Sequence, residues 1–181
     1  MVDGRASGRL QAALRAGTSP APGQIDGLVA RCAVESDFFV RDMLTWALTR
    51  HDPALVVPRL VAALRSDLPQ ARSQALHTLS KIGDVGAWPA ITVELLTDDD
   101  DEVARTAWRT AVGLVPDGGG PGLAEILSTQ FGRGGREVRR SLSRAFVELG
   151  EVALPVVRRA MTSRDPEVRA HAAATERMLG C

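Results

Sequence analysis

The sequence repeats itself at intervals of 30 to 35 residues, and this period restricts the fold more than any other feature. Five segments align without gaps on one apolar column, which holds Val40, Ala71, Val103, Val138 and Val168. Upstream of the last four segments, prolines recur at similar intervals, at Pro58, Pro89, Pro121 and Pro155. A unit of this length cannot bury its apolar face alone, so the period predicts neighbouring units stacked on one another.

Each unit is predicted to form a helix, a short turn and a second helix. Proline suits the first turn of a helix, and the apolar residues two and six positions later form one buried stripe. The second helices should start after aspartates, which cap helix N-termini, and end at glycines in the left-handed conformation. The expected capping residues are Asp67, Asp101 and Asp165 at the starts, and Gly83, Gly150 and Gly180 at the ends. No stretch alternates as a strand would.

The predicted fold is therefore all-α, a right-handed α-α superhelix of about five helical pairs preceded by a cap helix. The cap helix and its linker occupy residues 1–19, and the solenoid occupies residues 20–181. The repeat units are placed at about 20–51, 53–83, 85–115, 119–150 and 152–181.

The segments DPEVRAHAAATERMLG and LSKIGD resemble HEAT repeats, and more closely the short HEAT-like repeats first associated with bilin lyases. The resemblance covers about residues 20–180 and implies an α-solenoid that serves as an adaptor or scaffold. It also implies a ladder of aspartate and arginine residues along the stack. Ala104 stands where the family usually has arginine, so we expect the ladder to be interrupted in the third unit.

A solenoid of this kind displays its second helices on the concave face. Three helical columns that face away from the apolar stripe carry six basic and two acidic residues among fifteen positions. The basic residues are Arg50, Lys81, Arg105, Arg109, Arg140 and Arg144. This pattern fits a solvated surface and equally a groove for an acidic partner.

Three further residues on these columns are candidates for partner contact. Trp46 falls at an exposed position one turn from Asp42 and one turn from Arg50, where an indole ring could anchor a ligand. His77 lies on the same column in the next unit. With the six basic residues, these complete a predicted partner-binding face of nine residues.

The composition predicts neither a catalytic site nor a metal or cofactor site. The 22 basic and 22 acidic residues cancel. The two cysteines, Cys32 and Cys181, form no disulfide framework, and no two histidines are four residues apart as zinc ligands on a helix would be. No apolar run approaches the ~18 residues of a spanning helix. We expect a reduced, cytoplasmic protein that does not enter the membrane.

Three functions remain open from the sequence. The first is a non-catalytic scaffold that binds an acidic or aromatic-bearing protein segment on the concave face. The second is nucleic-acid binding by the basic columns, since some HEAT-like proteins are alkylpurine DNA glycosylases with a basic concave face. The zero net charge departs from the basic balance usual for that class. The third, a chaperone or lyase for a tetrapyrrole or another small molecule, follows from the repeat type alone.

Overall fold

The computed structural model describes residues 4–180, with the backbone alone at Gly4 and Arg5. These residues form eleven α-helices and no strand, which confirms the all-α prediction. The helices are α1 (Gly4–Thr18), α2 (Ile25–Val34), α3 (Phe38–Thr49), α4 (Pro53–Ala63), α5 (Pro69–Ile82), α6 (Val93–Leu96), α7 (Asp101–Leu114), α8 (Gly120–Ser128), α9 (Arg136–Leu149), α10 (Leu154–Ala160) and α11 (Pro166–Met178). None of the helices in this range is both long and apolar enough to cross a membrane.

The chain divides into two compact units, one ending at Ala90 and the other beginning at Ile91. The first holds α1 to α5 and a 3-10 segment, Val85–Ala90. The second holds α6 to α11, with a 3-10 segment, Gly150–Ala153, before α10. Helix pairs α2–α3, α4–α5, α8–α9 and α10–α11 follow the predicted pattern, whereas the first helix of the third pair is shortened to α6. The assignment of five repeat units stays a prediction.

In the first unit, α1 packs along α3, and α2 packs against α3, α4 and α5. The core is built largely of alanine, leucine and valine side chains. Leu48, Val56 and Leu76 are fully buried there, and Leu79 is 1% exposed.

A buried carboxylate holds α1 to the turn between α2 and α3. The Glu35 side chain is fully buried and accepts hydrogen bonds from Arg9 of α1 at 2.7 and 2.9 Å. Arg31 donates to the same carboxylate at 2.6 and 2.8 Å, and the Asp37 backbone N–H donates at 2.9 Å. The hydrogen bonds from Arg9 lower the pKa of Glu35 to about 2, against the opposing effect of burial. Burying this carboxylate costs desolvation free energy, and the hydrogen bonds from its partners offset that cost.

In the second unit, α7 packs against α6, α8 and α9, while α11 packs against α9 and α10. Trp108 of α7 is fully buried, and its indole N–H donates to the Leu96 carbonyl at 2.8 Å. That carbonyl belongs to the last residue of α6, so the indole satisfies the end of a helix only one turn long. Phe131 and Phe146 stack with ring centroids 4.8 Å apart.

The predicted helix caps are correct at some ends and wrong at others. Asp165 caps α11 through the Glu167 N–H, and Gly83 ends α5 with a φ of 73°. Asp100, and not Asp101, caps α7, because its carboxylate reaches the N–H groups of the second and third helical residues. Leu68, and not Asp67, is the N-cap residue of α5, which begins at Pro69. Proline already has the backbone dihedral angle of a first helical turn, so this helix starts without a side-chain cap.

The upstream prolines also differ in their positions. Pro121 and Pro155 lie in the first turn of α8 and α10, as predicted. Pro58 instead lies inside α4, which begins at Pro53 after the capping residue Asp52. The earlier Asp–Pro pair provides both the cap and a preset first turn, so the helix starts one turn and more before Pro58.

The arginines of the repeated column bind the turns between the paired helices. Arg41 donates to the Glu35 and Ser36 carbonyls, and Arg169 donates to the Ser163 and Arg164 carbonyls, at 2.8 to 2.9 Å. The same pattern recurs from Arg72 to the Ser66 carbonyl and from Arg139 to the Gly132 and Gly134 carbonyls. These arginines satisfy turn carbonyls that would otherwise be left without a partner.

In the third helix pair, which has Ala104 in this column, an arginine from the next pair takes over the role. The Arg133 guanidinium donates to the Asp98 and Asp99 carbonyls and forms an ion pair with Asp101 at 2.9 Å. Ala104 itself is fully buried. The expected interruption at Ala104 is therefore bridged by Arg133, which links the turn before α7 to the turn before α9.

Replacing Arg133 by Ala should lower the free energy of unfolding by about 1–3 kcal/mol, because it leaves turn carbonyls without their charged donor. Arg133→Lys should recover only part of the loss, since one ammonium group cannot reproduce the planar fork. Urea unfolding followed by circular dichroism measures both variants. Arg164→Ala removes an exposed arginine from the same compact unit and should change stability by less than about 0.5 kcal/mol. Equal stability of the Arg133→Ala variant and the parent chain would contradict the assigned role.

Candidate interaction surface

The nine residues predicted for the partner-binding face lie on the second helices of four helix pairs or at their ends. In the first compact unit they are Asp42, Trp46 and Arg50 at α3, and His77 and Lys81 on α5; in the second they are Arg105 and Arg109 on α7, and Arg140 and Arg144 on α9. All are exposed except His77 and Arg105, which are half-buried. Helix α3 packs on α5, and α7 packs on α9. The structure thus brings the predicted residues together as two groups, one in each compact unit. A continuous strip through both groups stays a prediction.

Trp46 is partly covered by α1 of the same chain. It retains 38% exposure, and its ring faces Gly17 at the end of α1. A side chain at position 17 would collide with the indole ring and would come within 2.9 Å of the Ala47 Cα atom. Glycine at this position therefore permits the close approach of α1, and only part of the indole surface is open to a partner.

Arg105 uses its charge within the second compact unit. Its guanidinium lies 3.3 Å from the Glu102 carboxylate and 3.9 Å from that of Glu137. The contact with Glu137 joins α7 to α9. Arg105 therefore contributes less positive potential to the surface than its place in the sequence predicts.

Four other arginines of the second unit keep their charge uncompensated. They are Arg136, Arg140, Arg144 and Arg177, all of which are exposed. Within residues 4–180, none of their guanidinium groups has a carboxylate within 4 Å. Arg140 and Arg144 were predicted from the sequence, whereas Arg136 and Arg177 were not. The signal that could have found them is the excess of arginine after residue 125, where ten arginines face six acidic residues.

Two depressions adjoin α9 and share two of these arginines. The larger, of about 780 Å³, runs between α9 and α11 and is lined by Arg136, Arg140 and Arg177 with Ala170, Ala174 and Met178. The smaller, of about 530 Å³, is lined by Arg136, Glu137, Arg140, Ser141 and Arg144. The uncompensated arginines therefore border concave surfaces rather than a convex one.

A serine and a histidine approach one another at the base of the larger depression, but not as a nucleophile and its base. The Ser143 hydroxyl lies 3.2 Å from Nε2 of His171 and 2.7 Å from the Thr175 hydroxyl. Nδ1 of His171 accepts the Gly132 N–H at 3.1 Å, so the ring hydrogen sits on Nε2 and points to the Arg139 carbonyl at 2.8 Å. Nε2 then has no lone pair with which to take the serine proton.

Burial lowers the pKa of His171 below its ordinary value, and the positive charge of Arg139 acts in the same direction. As the pH falls through about 6.5, the unfolded chain binds a larger fraction of a proton at this residue than the folded chain does, so stability should fall as the pH drops below about 7. Urea unfolding across this range measures the loss. The loss should be smaller in His171→Gln and unchanged in His77→Gln; a wild-type stability independent of pH would contradict the assignment.

Cys32 is buried in α2, and burial raises the pKa of its thiol to about 12. The positive charge of Arg41 opposes this shift without cancelling it. The thiol is protonated at neutral pH and behaves as a small apolar side chain. Among residues 4–180, no group of three histidine, cysteine or acidic side chains is arranged as metal ligands would be.

An exposed aromatic pair that was not predicted from the sequence lies at the start of α3. Phe38 and Phe39 are 65% and 72% exposed, and their rings meet edge to face with centroids 5.6 Å apart. The packing of α1 on α3 leaves both rings open to solvent on one side.

The paired helices and the repeated arginine–turn contacts define a helical-repeat protein. Residues 25–113 match a family model described as HEAT repeats. This segment, 89 of the 181 residues, is similar to HEAT repeats. A search of curated proteins gives no match.

Solved structures with the same fold include two engineered proteins and a karyopherin. The engineered proteins align over 99% of this chain and 93% and 94% of their own, with TM-scores of 0.54 and identities of 20% and 19%. The karyopherin Kap121p, bound to the extreme C-terminus of the protein phosphatase Cdc14p, aligns over 96% of this chain with a TM-score of 0.61 and 19% identity. This chain corresponds to 21% of that karyopherin's length. At these identities the likeness concerns the fold.

Proposed function

We propose that this protein is a non-catalytic interaction scaffold of the cytoplasm that binds an acidic segment of a partner protein through the exposed face of its second helices. The observation that carries the proposal is the set of exposed arginines on α9 that have no carboxylate within 4 Å among residues 4–180, of which Arg140 and Arg144 are the central pair. Exposed cations that stay uncompensated attract and orient an oppositely charged partner.

The fold supports a scaffold because its helix pairs present long, rigid surfaces without needing a catalytic centre. The karyopherin structure of similar fold contains a segment of another protein, namely the extreme C-terminus of the phosphatase Cdc14p. The tautomer of His171 excludes Ser143 and His171 as a nucleophile and its base. Each of these observations favours binding over chemistry.

The first compact unit would contribute Trp46, Arg50 and Lys81 to the same function. The indole ring of Trp46 is 38% exposed. Arg50 and Lys81 are also exposed, and neither has a carboxylate within 4 Å among residues 4–180. Trp46 would act as an aromatic anchor, since tryptophan is enriched among the residues that dominate binding energy. Asp42, His77 and Arg105 would border the contact.

Nucleic-acid binding is the second candidate, and the same arginines favour it. One feature weighs against it: the chain has no net charge, which departs from the basic balance usual for nucleic-acid binders. The exposed carboxylate of Glu137 also lies among the arginines of α9, so the charge of this surface is mixed. A surface of mixed charge suits a protein segment with its own pattern of charges.

Fluorescence anisotropy with a labelled peptide of alternating glutamate and leucine tests the proposal, with a labelled DNA duplex measured in the same buffers. We expect the peptide to bind more tightly than the duplex at physiological salt. Arg109→Ala combined with Arg144→Ala should weaken peptide binding about tenfold, because exposed charge pairs contribute on the order of 1 kcal/mol. Trp46→Ala should weaken it more than either single arginine replacement.

Arg164→Ala provides the matched control, because it removes an exposed arginine that borders neither depression beside α9. Circular dichroism must show an unchanged unfolding transition for each variant, which matters most for Trp46→Ala because this ring also contacts α1. Tighter binding of the duplex, with an affinity that falls steeply as salt rises, would favour the nucleic-acid function instead.

A further inference from the structure

The depression between α9 and α11, called here the α9–α11 groove, has charged walls and an apolar floor. Arg136 and Arg140 stand on one wall, and Arg177 stands on the other. We infer that this groove is a specific binding site for a short extended peptide segment in which acidic residues alternate with apolar ones. The inference rests on the proposed scaffold function and names its principal docking site.

The wall arginines are available to a ligand because the chain does not use them. Arg136, Arg140 and Arg177 are exposed, and none has a hydrogen-bond or ion-pair partner within the described part of the chain. Their neighbour Arg139 shows the contrast. It donates to the Gly132 carbonyl at 2.9 Å and to the Glu167 carboxylate at 2.6 Å, so its charge is already compensated.

The groove floor offers apolar contact and few free polar groups. Ala170, Ala174 and Met178 follow one face of α11 at intervals of four residues, and the Met178 side chain is 45% exposed. Beneath them, Ser143 and His171 have their hydrogen bonds made within the protein. Polar recognition must therefore come from the arginine walls, while the floor accepts apolar side chains.

The dimensions of the floor fit an extended chain. From Ala170 to Met178 the helix rises about 12 Å at ~1.5 Å per residue. An extended peptide covers that length in about four residues, with successive side chains on opposite sides. Alternation of acidic and apolar residues would then direct apolar side chains to the floor and leave the carboxylates to the arginines. A lone phosphate would use the charges and leave the apolar floor without a contact.

The groove volume, about 780 Å³, is within the size range of ligand sites. The arginine walls, the apolar floor and the volume of the groove therefore each fit a short peptide of alternating acidic and apolar residues.

Two double variants separate this site from the wider surface. Arg136→Ala with Arg177→Ala removes one cation from each wall of the groove and leaves Arg109 and Arg144 in place. With the labelled glutamate–leucine peptide, we expect the affinity of this variant to fall about tenfold. A peptide of alternating glutamate and serine should bind the parent protein more weakly than the glutamate–leucine peptide, since it lacks contact with the floor. The methyl NMR signal of Met178 should shift on addition of the glutamate–leucine peptide.

The outcomes distinguish the two proposals. Retained affinity in Arg136→Ala with Arg177→Ala, together with lost affinity in Arg109→Ala with Arg144→Ala, would overturn the groove and leave the scaffold function standing. No binding of any acidic peptide by the parent protein would overturn both. Displacement of the peptide by inorganic phosphate, at an ionic strength where chloride has no effect, would assign the groove to simple anions and overturn the inference. Arg164→Ala should behave as the parent protein throughout.

Discussion

Glu35→Gln should lower the free energy of unfolding by about 3–5 kcal/mol, the range for breaking a buried ion pair by removing one partner. The carboxylate is fully buried and accepts from Arg9, Arg31 and the Asp37 N–H. Glutamine keeps the shape but has no negative charge, and its amide group presents donors to guanidinium groups that are donors themselves. Urea unfolding monitored by circular dichroism measures the loss.

Glu148→Gln is the control, because it makes the same chemical change at an exposed position of α9. It should alter stability by less than about 0.5 kcal/mol. The pH dependence gives a second readout. The pKa of Glu35 is lowered to about 2 in the folded chain from an ordinary value of 4.5. Its contribution is therefore complete above about pH 4.5 and is lost as the pH falls towards about 2. The acid-induced loss should be reduced in Glu35→Gln, and an identical loss in both proteins would contradict the role assigned to this carboxylate.

Trp108→Ala should lower the free energy of unfolding by about 3–5 kcal/mol, as large aromatic truncations in a core do. The side chain is fully buried, so its removal leaves a cavity between α6 and α7. It also removes the donor to the Leu96 carbonyl, which lies at the end of the one-turn helix α6. Calorimetric or denaturant unfolding measures the effect.

A second replacement separates the cavity from the hydrogen bond. Trp108→Phe keeps much of the ring volume and loses the N–H, so its cost should be about 1–3 kcal/mol, the penalty for an unsatisfied buried acceptor. A cost below about 1 kcal/mol for Trp108→Ala would show that α6 and α7 close over the missing ring without loss. Similar losses of unfolding free energy in Trp108→Ala and Trp108→Phe would show that the missing hydrogen bond, and not the missing ring volume, causes most of the loss.

The fold could be predicted from the sequence because the repeated pattern is local. The apolar stripe, first-turn prolines such as Pro121 and left-handed glycines such as Gly83 act within one or two helical turns. The same reasoning predicted which columns are exposed, and seven of the nine face residues are exposed in the structure. It failed where two local signals competed, as at Pro58, which lies inside a helix that Asp52 and Pro53 had already started.

The partners of individual charges could not be predicted in this way. Arg105 was expected to project a free charge, but Glu137, 32 positions along the chain, compensates part of it. The missing arginine at Ala104 is replaced by Arg133, which belongs to the next helix pair. Arg136 and Arg177, which face each other across the groove, are 41 positions apart and lie outside the three columns that the sequence analysis selected.

The sequence by itself determined that the chain is a helical-repeat protein, because apolar spacing and capping residues act over a few positions and recur with the repeat. Only the tertiary structure decided which charges are used and which remain free. Arg9 is drawn to Glu35 because α1 packs along α3, while Arg140 lies beside the gap between α9 and α11 and meets no carboxylate in the part of the chain that the structure describes. Ion pairing depends on distances between side chains that are far apart along the chain, and those distances exist only once the helices have packed.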